Sequence, residues 1–314
     1  MRLSEERLAQ VALLWSEAVG PAGLKRLIAH FGSAERVLRA NFDELSSPDL
    51  GLHRGQAEII VSLRSRLAEF EEACELCHLR YVHLLFADEP GFPPPLAEIP
   101  NAPVLLTACG NWLPIDDPAV AIVGTRTPTP EGAQMARELA RTCARKKITV
   151  VSGLAQGVDR AAHEGALSAG GRTLAVVGCG LLAIRRKDTG GLEARIASAG
   201  AVFSEYAPYA EQSLPHLMAR NRLTSGLARA VIVVQARARG GALVTADDAK
   251  RQGRIVAAVQ WPEELPEGIG CRQLLRAGAR PIREPEDLQE LIEQIRHGLA
   301  SDVQPERQLP LLDD

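Results

Sequence analysis

The chain has 314 residues, of which 46% are hydrophobic and 24% charged, the balance of a soluble globular protein. Its apolar stretches fall short of the roughly 18 residues that a membrane span needs, and the opening MRLSEERLAQ carries both charge signs where a secretory signal is apolar; a cytoplasmic protein with no membrane partner is expected. The formal net charge of −3 hides an asymmetry: residues 284–314 hold nine acidic and two basic side chains, so residues 1–283 carry +4.

Residues 1–75 read as a helical domain. ERLAQVALLWSEA, GLKRLIAHF and SAERVLRANFDEL place apolar residues at helical spacing. Gly20, Pro21 and Gly23 punctuate the first junction, and Ser33 is placed to cap the helix AERVLRA, with Glu35 in its first turn. The string CELCH (Cys74, Cys77, His78) matches the C-x-x-C-H haem-attachment pattern. It lies, however, in the Glu-rich helical run AEFEEACELCHLRY, where cysteines three apart share a buried face, and no second ligand pair at zinc spacing accompanies it. The six cysteines are therefore read as reduced core thiols, and no metal or cofactor is expected. The proline-rich DEPGFPPPLAEIPNAPVLL suits an extended connection across a surface rather than a helix.

Residues 76–283 form the core domain. From about residue 119 the apolar runs AVAIVG, ITVVSG, TLAVVG, GAVFSEY, RAVIVVQA and RIVAAV alternate with helical segments. Strands apolar on both faces and separated by helices predict an α/β fold with a parallel sheet covered on both sides. Ligands of such sheets sit at the loops beyond the carboxyl ends of the strands.

Those loops repeat one composition. SGLAQG has Ser152, Gly153 and Gly157 ahead of a helix whose first turn holds Asp159, with His163 one turn deeper as a packed residue. Taken alone, this loop reads equally as a tight strand-to-helix turn or as a phosphate cradle. GTRTPTPEG adds Gly124, Thr125 and Arg126; ARNR adds Arg220, Asn221 and Arg222; ARARGGALVTA adds Arg237, Arg239, Gly241 and Thr245. Arginine's planar fork suits phosphate, and several loops bring one to the same sheet edge. The loops lack G-x-G-x-x-G, paired carboxylates and a nucleophile beside a base, so binding rather than catalysis is expected.

Taken in order, AIVGTRTPTPEG, VVSGLAQGVDRAAHEGALSAGG, TLAVVGCGL, SEY, RNR, VVQA, ARGGALVTA and QGRIVAAV resemble the DNA-processing protein A family (DprA, also called Smf) across residues 8–282. The N-terminal VGPAGLKRLIAHFGSAERVL is similar to that family's sterile-alpha-motif or helix-hairpin-helix-like domain. The resemblance implies an extended Rossmann-like core that binds single-stranded DNA, forms a homodimer and loads RecA recombinase in natural transformation. It implies DNA- or phosphate-binding roles for Gly124, Thr125, Arg126, Ser152, Gly153, Gly157, Arg220, Asn221, Arg222, Arg239 and Gly241, and a dimer contact in residues 270–282 through Leu274 and Leu275. The hairpin VGPAG either adds backbone contacts or is purely structural.

The chain departs from the family pattern at several positions. Leu217 and Met218 stand where Phe-Pro is usual, Gln156 replaces an arginine, Gln235 a glutamate, and Gly240 and Ala242 two serines. Arg185, Arg186 and Lys187 add charge in a segment without the usual Tyr-Pro. No winged-helix domain is expected after the core; residues 284–314 read as an acidic segment with a short docked helix at 287–300 and a mobile end at 301–314. The rival reading is a Rossmann-like hydrolase of nucleoside monophosphates, with Glu205 in SEY as its carboxylate.

Overall fold

The computed structural model describes residues 3–297, and the tail segment 301–314 lies outside the described residues. Six helices open the chain: Glu5–Trp15, Pro21–Phe31, Ala34–Arg39, Phe42–Leu45, Arg54–Leu63 and Leu67–Leu79. Short polar residues start them. Ser33 Oγ accepts from the Arg36 amide at 3.1 Å, and Asn41 and Glu44 form a reciprocal capping box. The Glu6 carboxylate reaches across to accept from the Ala34 and Glu35 amides, each at 3.0 Å, so the first helix is pinned to the start of the third. The last of these helices carries Cys74 and Cys77 on its inward face, and burial pushes both thiols up to about 12. Among the described residues no cluster of three or more His, Cys, Asp or Glu is placed to hold a metal ion.

Nine strands follow: β1 His83–Phe86, β2 Leu105–Gly110, β3 Ala119–Val123, β4 Thr149–Ser152, β5 Thr173–Val176, β6 Ala201–Ser204, β7 Ala230–Val233, β8 Ile255–Val259 and β9 Arg280–Ile282. They form one sheet in the order β1-β2-β6-β5-β4-β3-β7-β8-β9. β3 to β9 are parallel, and β2 and β1 extend the β6 edge antiparallel. Alternate residues of the central strands bury on opposite faces. Ala119, Ala121 and Val123 pack toward the helices Leu214–Gly226, Gly241–Arg251 and Ile269–Arg276, while Val120 and Ile122 pack toward Pro130–Arg145, Val158–Ser168 and Leu288–Arg296. The helical domain joins the sheet through a continuous core that includes Phe86, Leu105, Val177 and Val202.

The proline-rich stretch contains a helical turn, Pro94–Ala97, instead of running extended throughout; Leu96 and Ile99 sink into the core, and apolar burial outweighs the proline content. Leu274, expected at a dimer contact, is 5% exposed and packed in this protomer's own core beside Cys271. Burial removes it from any partner's reach. Leu275 beside it is half-buried.

Beneath the sheet's amino edge, Asp116 is fully buried and accepts from Arg172 through both oxygens, at 2.7 and 2.8 Å, and from Thr149 Oγ1 at 2.8 Å. At the other edge the chain reverses direction between β3 and β7. β3 leads to β4, β5 and β6 on one side, whereas β7, β8 and β9 continue on the other. That switch point opens a crevice at the carboxyl ends of the strands.

Candidate nucleic-acid interface

Backbone bonds across the crevice lock the loops to one another. The Thr125 amide donates to the Gln235 carbonyl at 2.8 Å, and the Val158 amide donates to the Thr125 carbonyl at 3.1 Å. Gln235, where a glutamate was the usual residue, is fully buried; its amide accepts from the Thr129 N–H at 2.9 Å and donates to Thr129 Oγ1 at 3.0 Å. A neutral amide can do both, which a carboxylate cannot.

The glycines make this interlocking possible. Gly157 has φ +84°, and a side chain there would strike the Thr125 and Arg126 backbone. A side chain on Gly153 would collide with Arg220 and Asp159. Gly124 packs against Val158. Ser152 is fully buried and donates to the Ile122 carbonyl at 2.7 Å, so its hydroxyl is spent inside the fold. The expectation that the Ser152 hydroxyl meets phosphate is corrected, whereas Gly124 and Gly153, besides making room for these neighbours, line cavities at the carboxyl edge of the sheet.

Arg220 is the deep cation of the site. It is 6% exposed, lies beside Asp159, touches Thr224 Oγ1 at 3.4 Å and leaves its buried Nε without a hydrogen-bond partner. Burial pushes the Asp159 carboxyl above its usual range, and the Arg220 charge opposes that rise. Burial likewise lowers the Arg220 guanidinium, Asp159 opposes the drop, and Arg126 adds to it. Two like charges thus approach one another at the crevice, an arrangement that an anion between them relieves.

Arg126, Arg220, Asn221, Arg237 and Arg239 share a cavity of about 400 Å³ with Gly124, Thr125 and Gly241. Arg126, Arg237 and Arg239 are exposed and have no carboxylate within 4.0 Å among the described residues. The helix Gly241–Arg251 begins in this cavity with no side-chain cap, leaving its first amides open to an anion. Asn221 donates to the Gly241 carbonyl at 3.3 Å and holds that helix start in place.

Arg222 is elsewhere. It pairs with Glu205 at 2.7 Å, each side chain 12% exposed, and also donates to the Asn101 and Ala219 carbonyls. Its assignment to phosphate is corrected, because its guanidinium is already consumed. Glu205 is engaged in the same pair and lines neither rim cavity.

A second cavity of about 690 Å³ adjoins the first, sharing Arg126, Ala155, Leu217 and Arg220 with it. Tyr209 lines it and is 57% exposed; Leu214 and Met218, 72% and 40% exposed, flank the first cavity. Sequence reasoning overlooked this apolar ledge. The signal available was Tyr209 itself, an isolated aromatic in a polar loop after β6. His163, by contrast, is packed as expected: Thr173 Oγ1 donates to the Val150 carbonyl at 2.9 Å and so accepts from His163 Nδ1 at 2.7 Å.

A doubly wound sheet with a helical N-terminal domain, and with arginines free of carboxylate partners among the described residues at its switch point, gives the protein a Rossmann-like fold with a basic rim. The family model described as "DNA recombination-mediator protein A" matches residues 83–293, and that of a "DprA-like N-terminal HHH domain" matches residues 4–56. Protein Smf of Synechocystis sp. is 35% identical over 276 residues, covering 86% of this chain and 69% of that protein. DNA processing protein DprA of Streptococcus pneumoniae is 38% identical over 199 residues, 63% of this chain and 70% of that protein. The X-ray structure of S. pneumoniae DprA superposes with a TM-score of 0.73 at 27% identity, covering 92% of this chain and 98% of that one. A Helicobacter pylori DNA processing protein A structure, described for its single-stranded DNA binding mode, gives 0.61 at 28% identity over 68% of this chain and 96% of its own. The chain belongs to the DNA recombination-mediator protein A family.

Proposed function

We propose that this protein binds single-stranded DNA along the carboxyl edge of its sheet and passes it to RecA recombinase during natural transformation, as a cytoplasmic homodimer and without catalysing a reaction. The observation that carries this reading is the cluster of Arg126, Arg220, Arg237 and Arg239 around one crevice, with an apolar ledge beside it. Arginines and open helix amides hold phosphates without reading sequence, and Tyr209, Leu214 and Met218 offer surfaces against which bases stack. The recombination-mediator family and the DNA-binding relative from H. pylori support the same substrate. The hydrolase alternative loses its candidate carboxylate, since Glu205 is neutralised by Arg222 away from both cavities.

Fluorescence anisotropy with labelled oligo-dT and with a duplex of equal length tests the DNA reading. Single strands bind much more tightly, because the arginines line a crevice at the sheet rim rather than a helix or wing shaped to a major groove. Equal affinity for both, or release of free base from nucleoside monophosphates, would overturn it. RecA delivery is tested separately by nucleation of RecA filaments on oligo-dT with and without the protein.

A further inference from the structure

The helix that carries Arg220 begins against the helical domain. We propose that Glu17 and His216 form an inter-domain latch that positions this helix, so that the helical domain sets the affinity of the rim. The proposal rests on the DNA-binding reading above and adds to it a positioning residue, Glu17, far from that rim in sequence.

Glu17 lies in the turn between the helices Glu5–Trp15 and Pro21–Phe31. It adopts φ +58°, the left-handed region that a residue with a side chain occupies only at a cost. Its amide donates to the Leu14 carbonyl at 3.1 Å, while Ala18 and Val19 after it are buried. The turn is thereby fixed with the Glu17 carboxylate directed at the other domain, where Oε1 lies 3.1 Å from His216 Nε2.

His216 sits in the first turn of the helix Leu214–Gly226, four residues before Arg220. Its Nδ1 lies 3.2 Å from the Glu211 carbonyl. Both ring nitrogens therefore lie within hydrogen-bond distance of oxygen acceptors, one from each domain. The ring also stacks on Tyr206, with centroids 4.0 Å apart and planes 21° apart, and Tyr206 Oη donates to the His216 carbonyl at 3.0 Å. An imidazolium against an aromatic face gains a cation–π attraction. The titratable and charged groups around the ring are Glu17 from the hairpin turn, Tyr206 from the loop after β6, and Glu211, whose carboxylate lies 3.7 Å from Arg185.

This turn matters to the rim because Leu217, the next residue, lines both cavities and lies against Gly178. Ser213 caps the same turn by accepting from the His216 amide at 3.2 Å. The cap and the Tyr206 bond are internal to the core domain. The Glu17 contact brings the helical domain into the same arrangement.

Oligo-dT affinity, measured at fixed pH and salt, reads the latch. Glu17→Gln lowers affinity by about threefold, the scale of a partly exposed ion pair. His216→Gln does the same, and the double variant is no weaker than either single one. Retention of the parent affinity by Glu17→Gln, or independent addition of the two effects, overturns the latch. Hydrogen exchange over residues 213–218 gives a second reading without DNA: faster exchange in Glu17→Gln supports the latch, and unchanged exchange overturns it. A parent that fails to bind oligo-dT sinks the DNA reading, while the exchange comparison still decides whether Glu17 holds the turn.

Discussion

Arg220 and Arg222 lie two positions apart on one helix, about 200° around its axis, and so face different surroundings. Arg220 turns into the crevice, where Asp159 partly offsets its desolvation, and Arg222 turns to Glu205 and the Asn101 carbonyl. Substituting them separates binding from stability. Arg126→Ala and Arg239→Ala, both at exposed positions, each lower oligo-dT affinity and flatten the dependence of log K on log salt by about 0.7. Arg220→Ala does the same but also strands Asp159, so its melting temperature falls as well. Arg222→Ala leaves the salt slope unchanged and costs about 1–3 kcal/mol in a urea titration, because Glu205 is left largely buried and unpaired. A changed salt slope in Arg222→Ala would place that side chain on the DNA.

His163 gives a residue-scale prediction of a different kind. Burial lowers its imidazole to about 3, with the nearby Arg220 charge acting in the same direction. The unfolded chain therefore takes up the proton first as pH falls. Stability is complete above about pH 6.5 and is lost as pH drops toward 3, at up to about 1.4 kcal/mol per unit. His163→Asn keeps a donor toward Thr173 without a titrating ring. Thermal melts at pH 7.5, 6 and 5 should show a steeper decline in the parent than in the variant, and parallel declines would contradict the assignment.

At the scale of elements, the helix Ile269–Arg276 shows how one short segment carries two readings. Its inner face buries Gly270, Cys271 and Leu274, and its outer face exposes Gln273 and Arg276. Leu274→Ala removes core contacts and lowers stability by about 2–5 kcal/mol, measured as a reduced urea midpoint. A homodimer built on this helix has to use the outer face with the half-buried Leu275. Leu275→Glu then converts dimer to monomer in light scattering with little change in melting, whereas a parent that is monomeric at micromolar concentration removes this helix as an interface.

The same contrast explains what was legible in the sequence. The six strands read from AVAIVG to RIVAAV are central and parallel, and their unbroken apolar runs reflect burial on both faces. β1, β2 and β9 went unread because HLLF is four residues at an edge, LLTACG mixes polar and apolar positions, and RPI holds a proline that only an edge strand tolerates. The site divides similarly. A concentration of arginine and glycine beyond the strands is a local pattern, and it was visible. Which arginine is free depends on partners distant in sequence: Arg222 is consumed by a carbonyl 121 positions away. The glycines carry the same lesson, since Gly153 makes room for a side chain 67 positions later.

Across the whole molecule, charge is separated along the strand direction. The unpaired arginines occupy the carboxyl edge of the sheet, and the helix Leu288–Arg296 docks on the Pro130–Arg145 helix, with Arg296 donating to the Lys146 carbonyl near the opposite edge. The intervening 16-residue helix spans about 24 Å. Residues 298–314 hold four acidic side chains and one arginine, and their attachment point is thus separated from the DNA rim by about three Debye lengths at physiological salt. Seventeen residues reach at most about 58 Å when extended, so the rim lies within their span. Competition with DNA is accordingly weak. Ending the chain after His297 raises oligo-dT affinity by less than about twofold at 20 mM salt and leaves it unchanged at 150 mM, since screening shortens the reach of charge as salt rises. Anisotropy titrations of both proteins at the two salt concentrations check this. A loss of affinity on truncation would make the tail part of the binding surface, and a tenfold gain would make it an inhibitory segment seated on the rim.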